Sequence, residues 1–286
     1  MPGSIIQWFP GHMAATRRLI RENLGSVDIV FELLDARIPE SSRNPEIKSL
    51  LGDKKTVIIL NKADLADPEK TKLWETHFRQ NENTVPVPVD CKSGKGTREI
   101  MDAARHLLRE KLQREREKGM KKPIRAMVVG IPNVGKSTLI NRFAGAKKAQ
   151  AENRPGVTKT KQWVKASAEL ELLDMPGVLW PKFEDVVTGE NLAMTGAIKD
   201  AILQSEEIAC LLCARLQALY PLSLKERYKL SDEQLQEEPY ELFLSIGRKR
   251  GFLQGGGVVN EERCSAVLLD EFRSGTLGRM TLEVPK

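Results

Sequence analysis

Short β-branched and apolar runs alternate with helix-periodic stretches along the chain as far as Asp174. Val27–Leu34 (VDIVFELL), Thr56–Leu60 (TVIIL), Thr84–Val89 (TVPVPV) and Ile124–Val129 (IRAMVV) read as strands. Leu170–Leu173 reads as a shorter strand, paired with Gln162–Val164. Between them Pro68–Gln80, Thr97–Lys118 and Lys136–Ala144 carry helical spacing. The first opens at Asp67–Pro68, a carboxylate able to cap followed by a ring that needs no N–H. Strands alternating with helices predict βαβ units and an α/β fold with a mostly parallel sheet. Pro86 and Pro88 are awkward there, because proline gives a ladder no N–H.

Beyond residue 183 no strong strand pattern remains, and Thr188–Ile198, Ser205–Tyr220, Ser231–Gln236, Glu241–Lys249 and Ser265–Ser274 all look helical. The predicted organisation is an α/β domain at 1–183 followed by a smaller all-α domain at 184–286.

At 286 residues with 41% apolar and 29% charged positions, the chain can bury a core and is not wholesale disordered. No apolar run reaches the ~20 residues of a membrane span. The scattered Cys91, Cys210, Cys213 and Cys264 fit a reducing cytoplasm better than a disulfide framework. The flanks of Cys210-Leu-Leu-Cys213 are apolar, so that pair reads as a buried helix face rather than a zinc site. The net charge of +6 conceals a division: residues 1–183 carry 33 Lys+Arg against 22 Asp+Glu, and residues 184–286 carry 12 against 17. The densest basic stretch, Arg105 to Arg125, has Glu110, Glu115 and Glu117 interleaved, so it suits a solvated helix face as well as a polyanion.

Candidate chemistry changes the picture more. Gly130-Ile-Pro-Asn-Val-Gly135-Lys136-Ser137 matches G-x-x-x-x-G-K-[ST] between a strand and a helix. Its backbone from Asn133, Val134 and Gly135 through Lys136, Ser137 and Thr138 is expected to cradle phosphate, Lys136 to reach the β- and γ-phosphates, and Ser137 to ligate Mg2+. Asn61-Lys62-Ala63-Asp64 fits N-K-x-D, in which the Asp64 carboxylate accepts from guanine N1–H and its exocyclic amine, donors that adenine lacks. Asn61 would contact the base edge or support the loop, and Lys62 would lay its stem on the base. Asp174-Met-Pro-Gly177 fits D-x-x-G: Asp174 would hold Mg2+ and the Gly177 N–H would sense the γ-phosphate. Thr158 lies between these motifs and could close over both, with Thr160 as the fallback. These are the parts of a GTPase, binding GTP and GDP, in a circularly permuted order.

With that order in hand, WFPGHM (8–13), DARIP (35–39), NKAD, GIPNVGKS, RPGVTK (154–159) and DMPG resemble the YlqF-type GTPases, the ribosome biogenesis GTPase A family, over essentially the whole chain. The resemblance implies a circularly permuted P-loop domain with a helical C-terminal domain, acting in the bacterial cytoplasm on precursors of the large ribosomal subunit. Partners would be rRNA and ribosomal proteins, with no membrane, and the chain would be a monomer. A GTP-dependent RNA-binding adaptor in which hydrolysis is incidental is the competing expectation.

Many GTPases place a water-orienting Gln after D-x-x-G, whereas this chain has Val178. The family shares that departure, so intrinsic hydrolysis should be slow, and His12 is the candidate to orient water. In related GTPases an Asn at the place of Asn133 helps hold K+, which is therefore a possible second cation. Asp90-Cys91-Lys92 stands where GTPases usually have S-A-K, so Cys91 should give the base only its backbone N–H, and Asp90 has no assigned role. Asp35-Ala-Arg37 closes a strand and is expected to brace the nucleotide site or the N-terminal segment rather than to act in catalysis. Arg248, Lys249 and Arg250, with Phe252 beside them, suit a charged helix end as well as RNA phosphates and a stacked base, and the resemblance tips the reading to RNA. Because D-x-x-G leads almost directly into the helical part, movement at the γ-phosphate is expected to reach it through few residues.

Overall fold

Six strands form one sheet in the order β3-β2-β1-β4-β6-β5 in the computed structural model, which describes residues 11–145, 162–177, 179, 180, 183, 185–198 and 204–286. They are β1 (Ile29–Asp35), β2 (Thr56–Asn61), β3 (Thr84–Val89), β4 (Ile124–Gly130), β5 (Gln162–Lys165) and β6 (Leu170–Asp174). All neighbours pair in parallel except β5, which returns antiparallel on β6. The two prolines fit because β3 is an edge strand bonded only to β2. Pro86 and Pro88 share one parity, so their missing N–H groups fall on the same side of the strand, and the free edge needs none.

Alternation along the strands builds two apolar faces. Phe31, Leu33, Val57, Ile59, Ala126, Val128 and Leu172 face the larger core. Val30, Met127, Val129 and Leu173 face the other side with Ile20 and Ile47, from α1 (Gly11–Leu24) and α2 (Pro45–Leu51). Leu34, Ile58 and Leu60 extend that side under Trp74 and Phe78 of α3 (Pro68–Phe78). The Asp67 side chain caps α3 by accepting from the N–H groups of Glu69 and Lys70. Helix α2 was not foreseen, although Asn44–Pro45 is a start signal of the same kind: the Asn44 side chain accepts from Glu46 and Ile47 N–H.

The helix expected at Thr97–Lys118 is two, α4 (Thr97–Leu107) and α5 (Arg109–Glu117), broken at Leu108. Helix α4 buries Ile100, Ala103, Ala104 and Leu107 on the sheet, whereas α5 buries nothing. The break falls where the apolar stripe runs out, since packing carries most of a helix's stability. Helix α6 (Lys136–Ala144) follows β4.

The C-terminal part comprises α7 (Val186–Met194), α8 (Ser205–Leu219), α9 (Pro221–Tyr228), α10 (Pro239–Lys249) and α11 (Glu261–Ser274). Helix α9 was missed in the sequence because Pro221 starts it straight after α8, at a bend of 114°. The buried residues of the C-terminal helices continue the core under the sheet: Leu192, Leu212, Leu216, Phe243 and Leu268 belong to one cluster with Phe31 and Val128. Leu179, Trp180 and Phe183, just after the D-x-x-G motif, are buried in that same cluster. Among the described residues no single helix is long and apolar enough to cross a membrane.

Candidate nucleotide site

Five of the motifs leave the sheet at the carboxyl end of a parallel strand: Asp35 from β1, Asn61 from β2, Asp90 after β3, Gly130 from β4 and Asp174 from β6. The chain runs from β1 outward to β3, then crosses back to place β4 on the other side of β1. Such a reversal opens a crevice above the strand ends, where open α/β sheets bind ligands.

At the base end, Asn61 ties two loops together. Its Nδ2 donates to the Val134 carbonyl of the phosphate loop at 2.6 Å, and its Oδ1 accepts from the Cys91 N–H at 3.1 Å. Asn61 therefore supports loops, and the Cys91 amide expected at the base is engaged by it. Gly135 must be glycine here: its φ is +107°, and a Cβ would collide with the Asn61 amide. Asp90 acquires a role, because its Oδ1 accepts from the N–H groups of Lys92 (2.8 Å) and Ser93 (3.2 Å) and closes the loop. Arg142 of α6 holds the same loop through the Lys92 carbonyl at 2.7 Å. Asp64 is exposed, available to a ligand.

The Lys62 ammonium reaches down to Asp35 Oδ2 at 2.9 Å. Arg37 meets the same carboxylate with two donors, Nε to Oδ1 at 2.9 Å and Nη2 to Oδ2 at 2.7 Å. Burial pushes the Asp35 carboxyl up, but Arg37 and Lys62 outweigh it and hold it well below the usual carboxylate range. Burial lowers Lys62 from its ordinary value, against the pull of Asp35. Asp35, Arg37 and Lys62 thus form a buried charge cluster under the N-K-x-D loop. It continues outward: Arg37 lies over the Phe272 ring of α11, and its carbonyl accepts from the Leu282 N–H at 2.8 Å.

The phosphate end is built differently. Lys136 opens α6, is buried, and donates to the carbonyls of Gly130 (3.0 Å) and Ile131 (2.8 Å) within its own loop. Burial lowers its pKa to about 8 despite Asp174 nearby. Asp174 is buried too; burial raises it to about 6, offset in part by Lys136, and its Oδ1 has no hydrogen-bond partner. An orphaned buried carboxylate oxygen beside a buried ammonium suits Mg2+ on one and phosphate on the other. Ser137 sits half-buried in the same first helical turn, and so does Thr138. Gly177 closes on the loop: a Cβ there would come within 2.5 Å of Lys136 Nζ and 3.2 Å of the Pro132 nitrogen.

Asn133, in the left-handed region at φ +57°, donates from Nδ2 to the Gly196 carbonyl just after α7 at 2.9 Å. Nothing in the sequence pointed to Gly196. Arg273 of α11 holds the same turn through the carbonyls of Met194 (2.9 Å) and Ala193 (2.8 Å). Thr158, Thr160 and the side chain of His12 lie outside the described residues.

The basic cluster needs correction. Phe252 is buried, and Arg250 and Arg263 lie over its ring, so it has no free face for a base. Arg250 also donates to Glu271 at 3.2 Å, while Lys249 is exposed. Gly247 is glycine because a Cβ would press on Val259 at 2.5 Å. Cys213 is buried and Cys210 half-buried on α8, as an apolar helix face requires.

A sheet of this topology, with a phosphate loop after β4, a guanine-type loop after β2 and D-x-x-G after β6, defines a circularly permuted GTPase. A family model described as "50S ribosome-binding GTPase" matches residues 125–243. The Ribosome biogenesis GTPase A of Priestia megaterium is 49% identical over 282 residues, covering 98% of this chain and 97% of its own length. The GDP-bound TM YlqF and the GNP-bound YlqF from T. maritima superpose with TM-scores of 0.65 and 0.62 at 25% identity. Each matches 94% of this chain, over 99% and 98% of its own. The chain belongs to the ribosome biogenesis GTPase A family.

Proposed function

We propose that the protein is a GTP-hydrolysing assembly factor for the large (50S) ribosomal subunit, slow by itself and stimulated by the ribosomal particle. The observation that carries the hydrolytic half is the buried pair at the phosphate loop, Lys136 held by its own loop and Asp174 with an unmet oxygen. A triphosphate with its metal satisfies both groups at once. The ribosomal half is supported by the names of the relatives and by the description of the matched family.

In this reading Asp64 selects guanine, Asn61 and Cys91 hold the loops around the base, and the amides from Asn133 to Thr138 surround phosphate. Lys136 bears on the β- and γ-phosphates, and the Gly177 N–H reads the γ-phosphate. Ser137, Asp174 and Thr158 would hold Mg2+, which supplies positive charge to the β- and γ-phosphoryl oxygens. His12 orients the attacking water, and Asn133 helps hold K+. Residues 1–183 form the nucleotide domain, and residues 184–286 engage rRNA and ribosomal proteins, with Arg248 and Lys249 the better-placed contacts and Arg250 tied to Glu271. The protein acts as a monomer in the bacterial cytoplasm.

Single-turnover hydrolysis with and without large-subunit precursor particles, in K+ and in Na+, tests this. Stimulation by particles supports the assembly GTPase; an unchanged rate with intact particle binding supports the RNA-binding adaptor. Equal rates in the two salts remove K+.

A further inference from the structure

The chain does not end at α11. Leu277, Met280 and Leu282 are buried, so the tail is pinned along the nucleotide domain beside the base-reading loop. Arg279 Nη2 donates to the Ala63 carbonyl at 2.9 Å, and its Nε donates to the Ala66 carbonyl at 2.9 Å. The Met280 N–H donates to the Leu65 carbonyl at 2.9 Å, and Thr281 Oγ1 accepts from the Asp67 N–H at 3.1 Å. Three consecutive tail residues thus answer four backbone groups of the segment around Asp64. Gly278, at φ +109°, makes the turn that brings Arg279 back over the loop.

We propose that Arg279 is a positioning residue for guanine recognition, acting through the two carbonyls that bracket Asp64. The proposal rests on Asp64 being the guanine reader. A carboxylate that accepts from two donors on one base edge must be placed within a fraction of an ångström. Asp64 sits on a short turn whose preceding residue, Lys62, is in the left-handed region at φ +61°. A planar guanidinium with two donors fixes both carbonyls relative to one another, which a single ammonium does not. Arg279 itself is exposed while its neighbours carry the packing, so the side chain can be removed without removing the tail's anchor. The tail also leaves α11 through Gly275, where a Cβ would press on Leu65 at 2.7 Å. The helical part therefore reaches the specificity loop from both Gly275 and Arg279, so a particle bound to that part could change nucleotide affinity through this contact.

The test compares Arg279→Met and Arg279→Lys with the unaltered full chain, measuring GDP and inosine diphosphate affinities, kcat and KM for GTP, and thermal unfolding. Inosine lacks the exocyclic amine, so the guanosine-to-inosine ratio reports carboxylate placement, which a general loss of stability would not move. Arg279→Met is expected to weaken GDP about tenfold, to lower the ratio about threefold and to raise KM with kcat within about twofold. Arg279→Lys should fall between the two. GDP affinity and ratio within about twofold of the parent in both variants would overturn the proposal. If Arg279→Met does not fold, the ratio in Arg279→Lys decides alone: a parental value overturns it. Asp64→Asn separates the underlying assignment, since an unchanged guanine preference there removes the reader whatever Arg279 does.

Discussion

The two ends of the nucleotide crevice are built on opposite electrostatic plans. At the base end every buried charge is answered: Asp35 meets Arg37 and Lys62, and Asn61 fills both its amide groups between two loops. At the phosphate end Lys136 turns back on its own loop and Asp174 keeps an oxygen without a partner. The base end is therefore finished before ligand arrives, and the phosphate end becomes electrically complete only with anionic oxygens and a cation. The pKa directions record the difference, since Asp35 is held below its ordinary range and Asp174 is raised to about 6. A site split this way can recognise its nucleotide on a rigid platform while leaving its phosphate loops sensitive to what is bound.

The largest effect should come from breaking the finished end. Asp35→Asn leaves Arg37 and Lys62 buried with no carboxylate, and removing one member of such a cluster costs about 3–5 kcal/mol. Urea unfolding should show that loss with an unchanged slope. The parent's contribution from Asp35 is present at neutral pH and fades in acid, as pH falls through the depressed folded value. An Asp35→Asn protein as stable as the parent would mean that the cluster is relaxed by water.

Next in size are substitutions at the unfinished end. Lys136→Ala and Asp174→Asn should each lower single-turnover GTP hydrolysis by about a hundredfold or more, the scale of losing a group aimed at transition-state charge. Stability should move the other way. A folded pKa raised to about 6 means that Asp174 favours the nucleotide-free fold below the ordinary carboxylate range and loses that advantage as pH rises through 6. Nucleotide-free Asp174→Asn should thus be about 1–3 kcal/mol more stable than the parent at pH 7, with the gain vanishing near pH 4. One residue would then be costly to the fold and necessary to the reaction, the reverse of Asp35.

A smaller effect sharpens the same contrast through protons. Burial leaves Lys136 with a pKa of about 8 in the free protein, and phosphate beside it favours the charged form. GDP binding at pH 8 should take up about half a proton, falling toward zero near pH 6.5. Calorimetry in buffers of different ionisation enthalpy measures this. Uptake that persists in Lys136→Met would place the titration elsewhere.

Most of this arrangement was legible in the sequence where chemistry is local. The strands, the phosphate loop, helix α6 at Lys136–Ala144 and the order of motifs follow from alternation, glycine spacing and strand–loop–helix context. The split of Thr97–Lys118 was missed because helical spacing continues past Leu108 after the buried stripe has ended, and periodicity does not register burial. The bracing contacts were missed for another reason. Gly196 meets Asn133, and Arg279 meets Ala63 and Ala66, through backbone carbonyls, which every residue carries. No residue type marks such an acceptor, and the partners lie far apart in the chain. Phe252 misled because an arginine beside an aromatic reads alike whether the ring faces solvent or, as here, the core.

The smallest effect tests how finished the base end is. The Asp90 carboxylate closes its loop by accepting from the Lys92 and Ser93 N–H groups. The same loop is held independently by the Asp90 N–H on the Lys95 carbonyl and the Gly94 N–H on the Asp90 carbonyl. Arg142 holds it from outside through the Lys92 carbonyl. A serine hydroxyl closes such a turn in the same way, more weakly. Asp90→Ser should therefore leave GDP affinity within about twofold, and Asp90→Ala should lower it about fivefold, the scale of one exposed turn acceptor. Equal affinities in all three proteins would show that the backbone bonds and Arg142 suffice. A large loss in Asp90→Ser would mean that the charge itself, and not the acceptor, shapes the loop that flanks Cys91 and Asn61.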